Sequence, residues 1–196
     1  MQNRKRLWLR AAAPVPILAM ALTACTGVDG ESDSKPEGPA SKAGYRHLSA
    51  GDSVTATFEE ADGEITYTAI AQKVTVGTKA DAALALHPEQ VKGFVTVVAH
   101  VKYTSRGGVV VNSYPDVGDV VEIYADGAPG ANLGDAQDDA PGCEKDMDIV
   151  NWEPGRSHVI CQTYMVPKEA EEIAVHWAPK EGEPRYVWTF KNPAGM

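Results

Sequence analysis

The sequence predicts an all-β sandwich, and three observations predict it. Short runs rich in Val, Ile, Thr and Tyr alternate apolar and polar residues at period two, the pattern of half-buried strands. Turn formers separate those runs: the 196 residues include 18 Gly and 13 Pro. Helix-period patterning is thin, confined to residues 80–86 before Pro88 and to residues 168–172. Apolar residues make up 43% and charged residues 23%. Both are ordinary for a globular chain and exclude wholesale disorder and a polytopic membrane protein.

Taken in order, residues 53–58 alternate and form the first candidate strand. Asp62-Gly63 then supplies a hairpin-type turn into the Thr/Val/Ile-rich run 65–76. Residues 94–104 are the strongest strand. Val95, Val97, Ala99, Val101 and Tyr103 share one face, while Thr96, His100 and Lys102 share the other. Gly107-Gly108 turns the chain into 109–111, and 119–124 follows, ended by Asp126-Gly127. Residues 125–148 are Gly/Asp-rich and read as a long loop, too long to be idle in a compact domain. Residues 157–166, 172–177 and 185–190 complete the set. In the second of these, Ile173, Val175 and Trp177 alternate, which favours strand over helix.

The first residues carry an address. Arg4, Lys5, Arg6 and Arg10 precede the apolar run 11–22, which is broken only by Pro14 and Pro16. A basic flank, a short apolar stretch and small residues at its end describe a secretory signal peptide. A helix of that length spans about 18 Å against a hydrocarbon core of ~30 Å, too little for a permanent span. The run closes in Leu22-Thr23-Ala24-Cys25, which resembles the lipobox of bacterial lipoproteins. That resemblance implies a diacylglyceryl group on the Cys25 thiol, hence a lipid anchor in the cell membrane on its extracytoplasmic face. Two acyl chains anchor stably where one does not. The expected organisation is therefore residues 1–24 signal peptide, 25–47 flexible tether and 48–191 sandwich domain. The tether reading rests on a Gly, Ser, Pro, Glu, Asp and Lys composition that cannot bury enough surface to offset ordering.

Three cysteines are an awkward number for an exported protein. With Cys25 lipidated, Cys143 and Cys161 remain as an even pair for a disulfide in an oxidising compartment. If Tyr164 and Val166 face the core, alternation places Cys161 on the outer face, so the bridge staples the acidic loop there. The balance of 18 basic and 27 acidic residues gives a net charge of −9. Loss of the signal peptide deepens it. Nucleic acid is excluded as a partner because a phosphate-tracking surface needs a basic stripe.

Residues 93–103, Gly-Phe-Val-Thr-Val-Val-Ala-His-Val-Lys-Tyr, resemble the hallmark strand of the domain-of-unknown-function 4352 family. Glu153-Pro154-Gly155 and the strand end Tyr164-Met165-Val166-Pro167-Lys168-Glu169-Ala170 resemble its second conserved stretch. The likeness covers residues 65–190, with Tyr103 where the family has Asn and with an extra acidic loop carrying Cys143. It implies an immunoglobulin-like antiparallel β-sandwich on a tethered lipoprotein, akin to secreted mycobacterial antigens of the same fold. It implies no catalytic residues and no cofactor.

The chain lacks the usual chemical motifs. Gly155-Arg156-Ser157-His158 sets Ser beside His, but strand neighbours point to opposite faces, and no Gly-x-Ser-x-Gly elbow or His-Glu-x-x-His occurs. Gly127, Gly130 and Gly134 miss the phosphate-binding spacings. His47, His87, His100, His158 and His176 are scattered and read as solvated or outer-face residues. Asp135, Asp138, Asp139, Glu144, Asp146 and Asp148 could offer oxygen ligands to Ca²⁺. They lack the EF-hand order and read as a solvated loop. Trp152, Trp177, Trp188, Tyr164 and Tyr186 suggest either a sugar-binding groove or a sandwich core, and their alternation favours core. The expectation is a non-enzymatic binding module of the envelope with a basic envelope protein or a wall component as partner. The alternative is a ligand- or metal-binding lipoprotein that serves a transporter or sensor.

Overall fold

The computed structural model describes residues 44–77, 91–135 and 140–191. The expected signal peptide, Cys25, most of the expected tether and the helix candidate at 80–86 lie outside the described residues. The strands are β1 (Tyr45–Leu48), β2 (Val54–Glu60), β3 (Gly63–Val76), β4 (Phe94–Gly108) and β5 (Val121–Ala125). They continue as β6 (Ala128–Pro129), β7 (Ala131–Asp135), β8 (Ser157–Pro167), β9 (Glu172–Trp177) and β10 (Arg185–Lys191). Two five-stranded sheets result, ordered β1-β10-β9-β5-β6 and β2-β3-β4-β8-β7. Every pairing is antiparallel except β1 with β10. The series β3-β4-β8-β7 repeats the A-B-E-D order of an immunoglobulin sandwich, and β5-β9-β10 repeats C-F-G with β6 as C′. The chain is an all-β sandwich, as its patterning predicts.

Alternation explains which side chains meet between the sheets. Val95, Val97, Ala99, Val101 and Tyr103 of β4 all enter the core, as do Ile160, Tyr164 and Val166 of β8 and Ile173, Val175 and Trp177 of β9. Trp152, Trp177 and Trp188 are fully buried with Tyr67 and Tyr103, so these aromatics form the core and no groove. Their rings touch in series: Tyr67 with Trp152 at 5.1 Å, Tyr67 with Tyr103 at 6.1 Å and Tyr103 with Trp177 at 5.8 Å. The Tyr164 hydroxyl crosses between the sheets to donate to the Val121 carbonyl.

Four sequence expectations are corrected. Residues 45–47, read as tether, belong to β1. Their side chains are exposed, so composition looks like linker, but their backbone completes the free edge of β10, and Arg185 N–H donates to Gly44 O at 3.0 Å. Residues 109–111 do not form a strand; only Val111 pairs, with Trp152. Residues 125–148 are not one loop, since β6, β7 and a 3₁₀ turn over Asp146–Asp148 occupy parts of it. Residues 168–172 do not start a helix: 168–171 form a turn and Glu172 opens β9.

Two bulges break the β3–β4 ladder, at Arg106 and at Gln72. The second changes which residues of β3 face inward. Ile65, Tyr67, Ala69 and Ala71 are buried before it, whereas Val74 and Val76 pack on the core after it. An extra residue reverses the parity of everything beyond. At the other end of the hairpin, Gly108 has φ +115°, and a Cβ there would stand 2.4 Å from the Glu64 carbonyl oxygen. Glycine is required at that point by both conformation and space.

Candidate functional site

The outer face of the β1-β10-β9-β5 sheet carries a groove of about 300 Å³. Alternation on β9 makes it. With Ile173, Val175 and Trp177 turned inward, Ala174 and His176 must face out. Ala174 lies in register between Thr189 and Tyr124, and His176 between Val187 and Glu122. The small Ala174 leaves a floor, and larger neighbours form the walls. Tyr124 stacks on His176 with ring centroids 4.2 Å apart, and Tyr45 meets the same imidazole edge-on at 5.6 Å. His47 and Glu172 close the rim. Arg185 Nη1 lies 2.6 Å from Glu122 Oε2, which also accepts the Tyr124 hydroxyl at 3.3 Å.

His176 is 9% exposed, and its Nδ1 has no hydrogen-bond partner. Burial pushes its pKa down, with Arg185 and His47 adding to the effect and Glu122 opposing it. The unpaired Nδ1 is itself buried, so a ligand in the groove would meet Tyr45, Tyr124, His47 and Glu172, with the neutral imidazole as a wall behind them. Tyr45 and His47 are not legible as groove residues, since they sit in the polar stretch before the sandwich and His47 reads there as solvated. The outward turn of Ala174 and His176 was readable from the alternation of their neighbours.

A second cluster lies on the outer face of the other sheet. Cys143 and Cys161 are joined by a disulfide with Cα atoms 5.6 Å apart. Cys161 is off the core face, as its parity requires, yet only 4% exposed because the Cys143 segment covers it. That segment is held by one backbone bond and one side-chain bond: Glu144 N–H donates to Val159 O at 2.9 Å, and Val159 N–H to Glu144 Oε1 at 2.9 Å. Glu144 Oε2 also lies 2.8 Å from His158 Nδ1. His100 pairs directly with Cys161 across β4 and β8. Its Nδ1 is 3.3 Å from Cys161 Sγ and 3.5 Å from Cys143 Sγ, and its Nε2 is 3.0 Å from Thr75 Oγ1. Burial, then the Lys73 charge, lowers the His100 pKa to about 4.

The remaining expected site residues divide. Cys25, Asp138, Asp139 and His87 lie outside the described residues, and the side chain of Asp135 is not described. Glu144 is committed to the clamp on β8. Asp146 Oδ1 accepts the Met147 N–H at 2.8 Å in the 3₁₀ turn. The acids that can be placed are therefore partly structural, and no calcium-ligand arrangement is formed by them among the described residues. The one described group of metal-ligating type is His100 with the two cysteines.

The fold and its paired cysteines define a disulfide-stapled β-sandwich protein with immunoglobulin strand order. No family model and no curated protein matches the chain, so the likeness to the domain-of-unknown-function 4352 family is not confirmed and rests on its quoted motifs. Two solved structures are similar. A candidate lipoprotein from Staphylococcus aureus subsp. aureus NCTC 8325 is 9% identical, with a TM-score of 0.47 over 70% of this chain and 93% of its own. An uncharacterized β-sandwich protein from Clostridium difficile 630 is 11% identical, with a TM-score of 0.48 over 79% of this chain and 100% of its own.

Proposed function

We propose that this protein is a lipid-anchored, extracytoplasmic binding module of the cell envelope that performs no catalysis. The observation that carries the reading is the division of its cysteines. Cys143 is bonded to Cys161, which leaves Cys25 as the odd thiol at the end of the lipobox-like Leu22-Thr23-Ala24-Cys25. Disulfides of this kind persist in oxidising compartments, where lipoproteins are displayed. Inner strand faces are consumed by the core, so recognition falls to outer faces, end loops and edges. The acid-rich stretch 125–148 favours a basic envelope protein or wall component as partner. Cell fractionation with intact-mass analysis tests the anchor. Cys25→Ala is expected to leave the membrane fraction or to stall unprocessed, while wild type carries a diacylglyceryl mass. Mature wild type that is membrane-bound without lipid defeats the reading.

A second reading, a ligand-binding lipoprotein that serves a transporter or sensor, is favoured by the groove around His176. Its test is a titration of the protein with soluble wall-glycan fragments, followed through the aromatic resonances of Tyr124 and His176. Saturable shifts that vanish in Tyr124→Ala support it. Unmoved resonances at millimolar fragment count against it.

A further inference from the structure

We infer that the disulfide gates a metal site: once Cys143 and Cys161 are reduced, their thiolates and His100 Nδ1 bind one zinc ion. Three ligand atoms from three separate parts of the chain already lie within 4.8 Å of one another. Zinc takes ~2.3 Å bonds to sulfur and ~2.0 Å bonds to imidazole nitrogen, so a tetrahedral site sets sulfur–nitrogen separations of roughly 3.5 Å. The separations present are 3.3 and 3.5 Å. Only the two sulfurs need to part, to a non-bonded distance of roughly 3.7 Å on the same bond lengths.

The surroundings keep the ligands together after the bond opens. Cys161 and His100 are fixed opposite each other in the β4–β8 ladder. Cys143 stays beside them because the neighbouring Glu144 is tied to Val159 by two backbone-directed bonds, independent of the disulfide. Thr75 Oγ1 stands on the far side of the imidazole, 3.0 Å from Nε2. Thr75 Oγ1 is placed to accept Nε2–H in the tautomer that frees the Nδ1 lone pair for the metal. A second partner that fixes the tautomer and orientation in this way is the usual companion of a metal-bound histidine. The protein supplies three ligands, and the fourth position falls to water or an exogenous ligand.

The step balances with a dithiol reductant of the Cys-X-X-Cys class. Its two thiols give two electrons and two protons to the Cys143–Cys161 bond, yielding two protein thiols and a disulfide in the reductant. Zinc then displaces the two thiol protons, which pass to solvent, and binds the thiolates. Oxidation of the thiols removes two ligands and releases the ion. Sequence spacing hid this site, because the three residues are 18 to 61 positions apart.

The test uses the lipid-anchored chain in detergent, reduced without oxygen by a phosphine. It is titrated with Co²⁺ as a spectroscopic probe and with Zn²⁺ against a chromophoric chelator. One equivalent of Co²⁺ should give tetrahedral ligand-field bands and thiolate-to-cobalt charge transfer in the reduced protein, and neither in the oxidised protein. His100→Ala should keep the charge transfer but lose zinc affinity by about tenfold or more, and Thr75→Val by about tenfold. The double variant Cys143→Ser/Cys161→Ser should give no charge transfer. Tryptophan fluorescence reports the fold throughout. If the reduced chain unfolds without metal, one equivalent of zinc must refold it. A reduced wild type that binds no stoichiometric metal overturns the inference, as does zinc affinity unchanged in both His100→Ala and Thr75→Val.

Discussion

Thr75 Oγ1 and His100 Nε2 stand 3.0 Å apart on the outer face of the sandwich, and they meet because β3 carries one extra residue at Gln72. Before that bulge, the odd-numbered residues Ile65 to Ala71 face the core; after it, Val74 and Val76 do. Plain alternation would send Thr75 inward and the two valines out. The bulge therefore makes the core continuous along β3 and gives His100 its hydroxyl partner.

Deletion of Gln72 should leave both effects in place. It removes the extra residue and joins Ala71 to Lys73, whose partners Val101 and His100 are already consecutive on β4. Val74 and Val76 then stay inward and Thr75 stays beside His100. The unfolding free energy should change by less than about 1 kcal/mol. Urea denaturation against wild type measures it, and a loss of about 2 kcal/mol or more would show that the bend at Gln72 is itself needed for packing.

The disulfide closes a loop with a sequence separation of 18. Chain-entropy arguments assign such a loop roughly 3 kcal/mol. The Cys143→Ser/Cys161→Ser variant should therefore unfold at lower denaturant, with a somewhat steeper urea dependence because its denatured chain is no longer cross-linked. The clamp from Glu144 to Val159 predicts that its folded state keeps the Cys143 segment in place, which amide exchange at Val159 would report.

The His100 pKa lies near 4 in the folded, disulfide-bonded protein, against 6.5 as its ordinary value. A depressed histidine pKa means that the unfolded chain binds the proton more readily. The neutral-imidazole contribution is then complete above pH 6.5 and is lost as pH falls toward 4. Lys73, opposite His100 on β3, acts in the same direction as burial. The decline should approach about 3 kcal/mol, an upper bound from the pKa difference. Carboxylates titrate in the same window, so the measurement is the difference between wild type and His100→Gln. Parallel stability–pH curves for the two would contradict it.

Gly108→Ala should destabilise the β3–β4 ladder by about 2 kcal/mol or more. It forces a positive φ on an L-residue and drives a methyl against the Glu64 carbonyl. Gly107→Ala, whose Cβ meets nothing within 4 Å, is the control. Equal thermal midpoints for the two variants would show that the chain end relaxes freely.

Much of the fold was legible because burial between two sheets writes a period of two directly into residues 94–104, 157–166 and 172–177. The same alternation put Cys161 on the outer face and the tryptophans in the core. Edge pairing leaves no such trace: β1 is held by backbone bonds to β10 and shows four residues of mostly exposed side chain, so its composition reads as tether.

By itself the sequence determined the all-β class, the inward sets of β4, β8 and β9 and, with Cys25 set aside, the pairing of Cys143 with Cys161, since each follows from local alternation or a count of thiols. Only the tertiary structure decided which outer-face residues meet. His100 joins Cys143, Cys161 and Thr75, and His176 joins Tyr45 and Tyr124, through strand register, a single-residue bulge and an added edge strand. Those are long-range pairings between segments far apart in the chain, and their geometry is set by which strands neighbour one another rather than by any local pattern of residues.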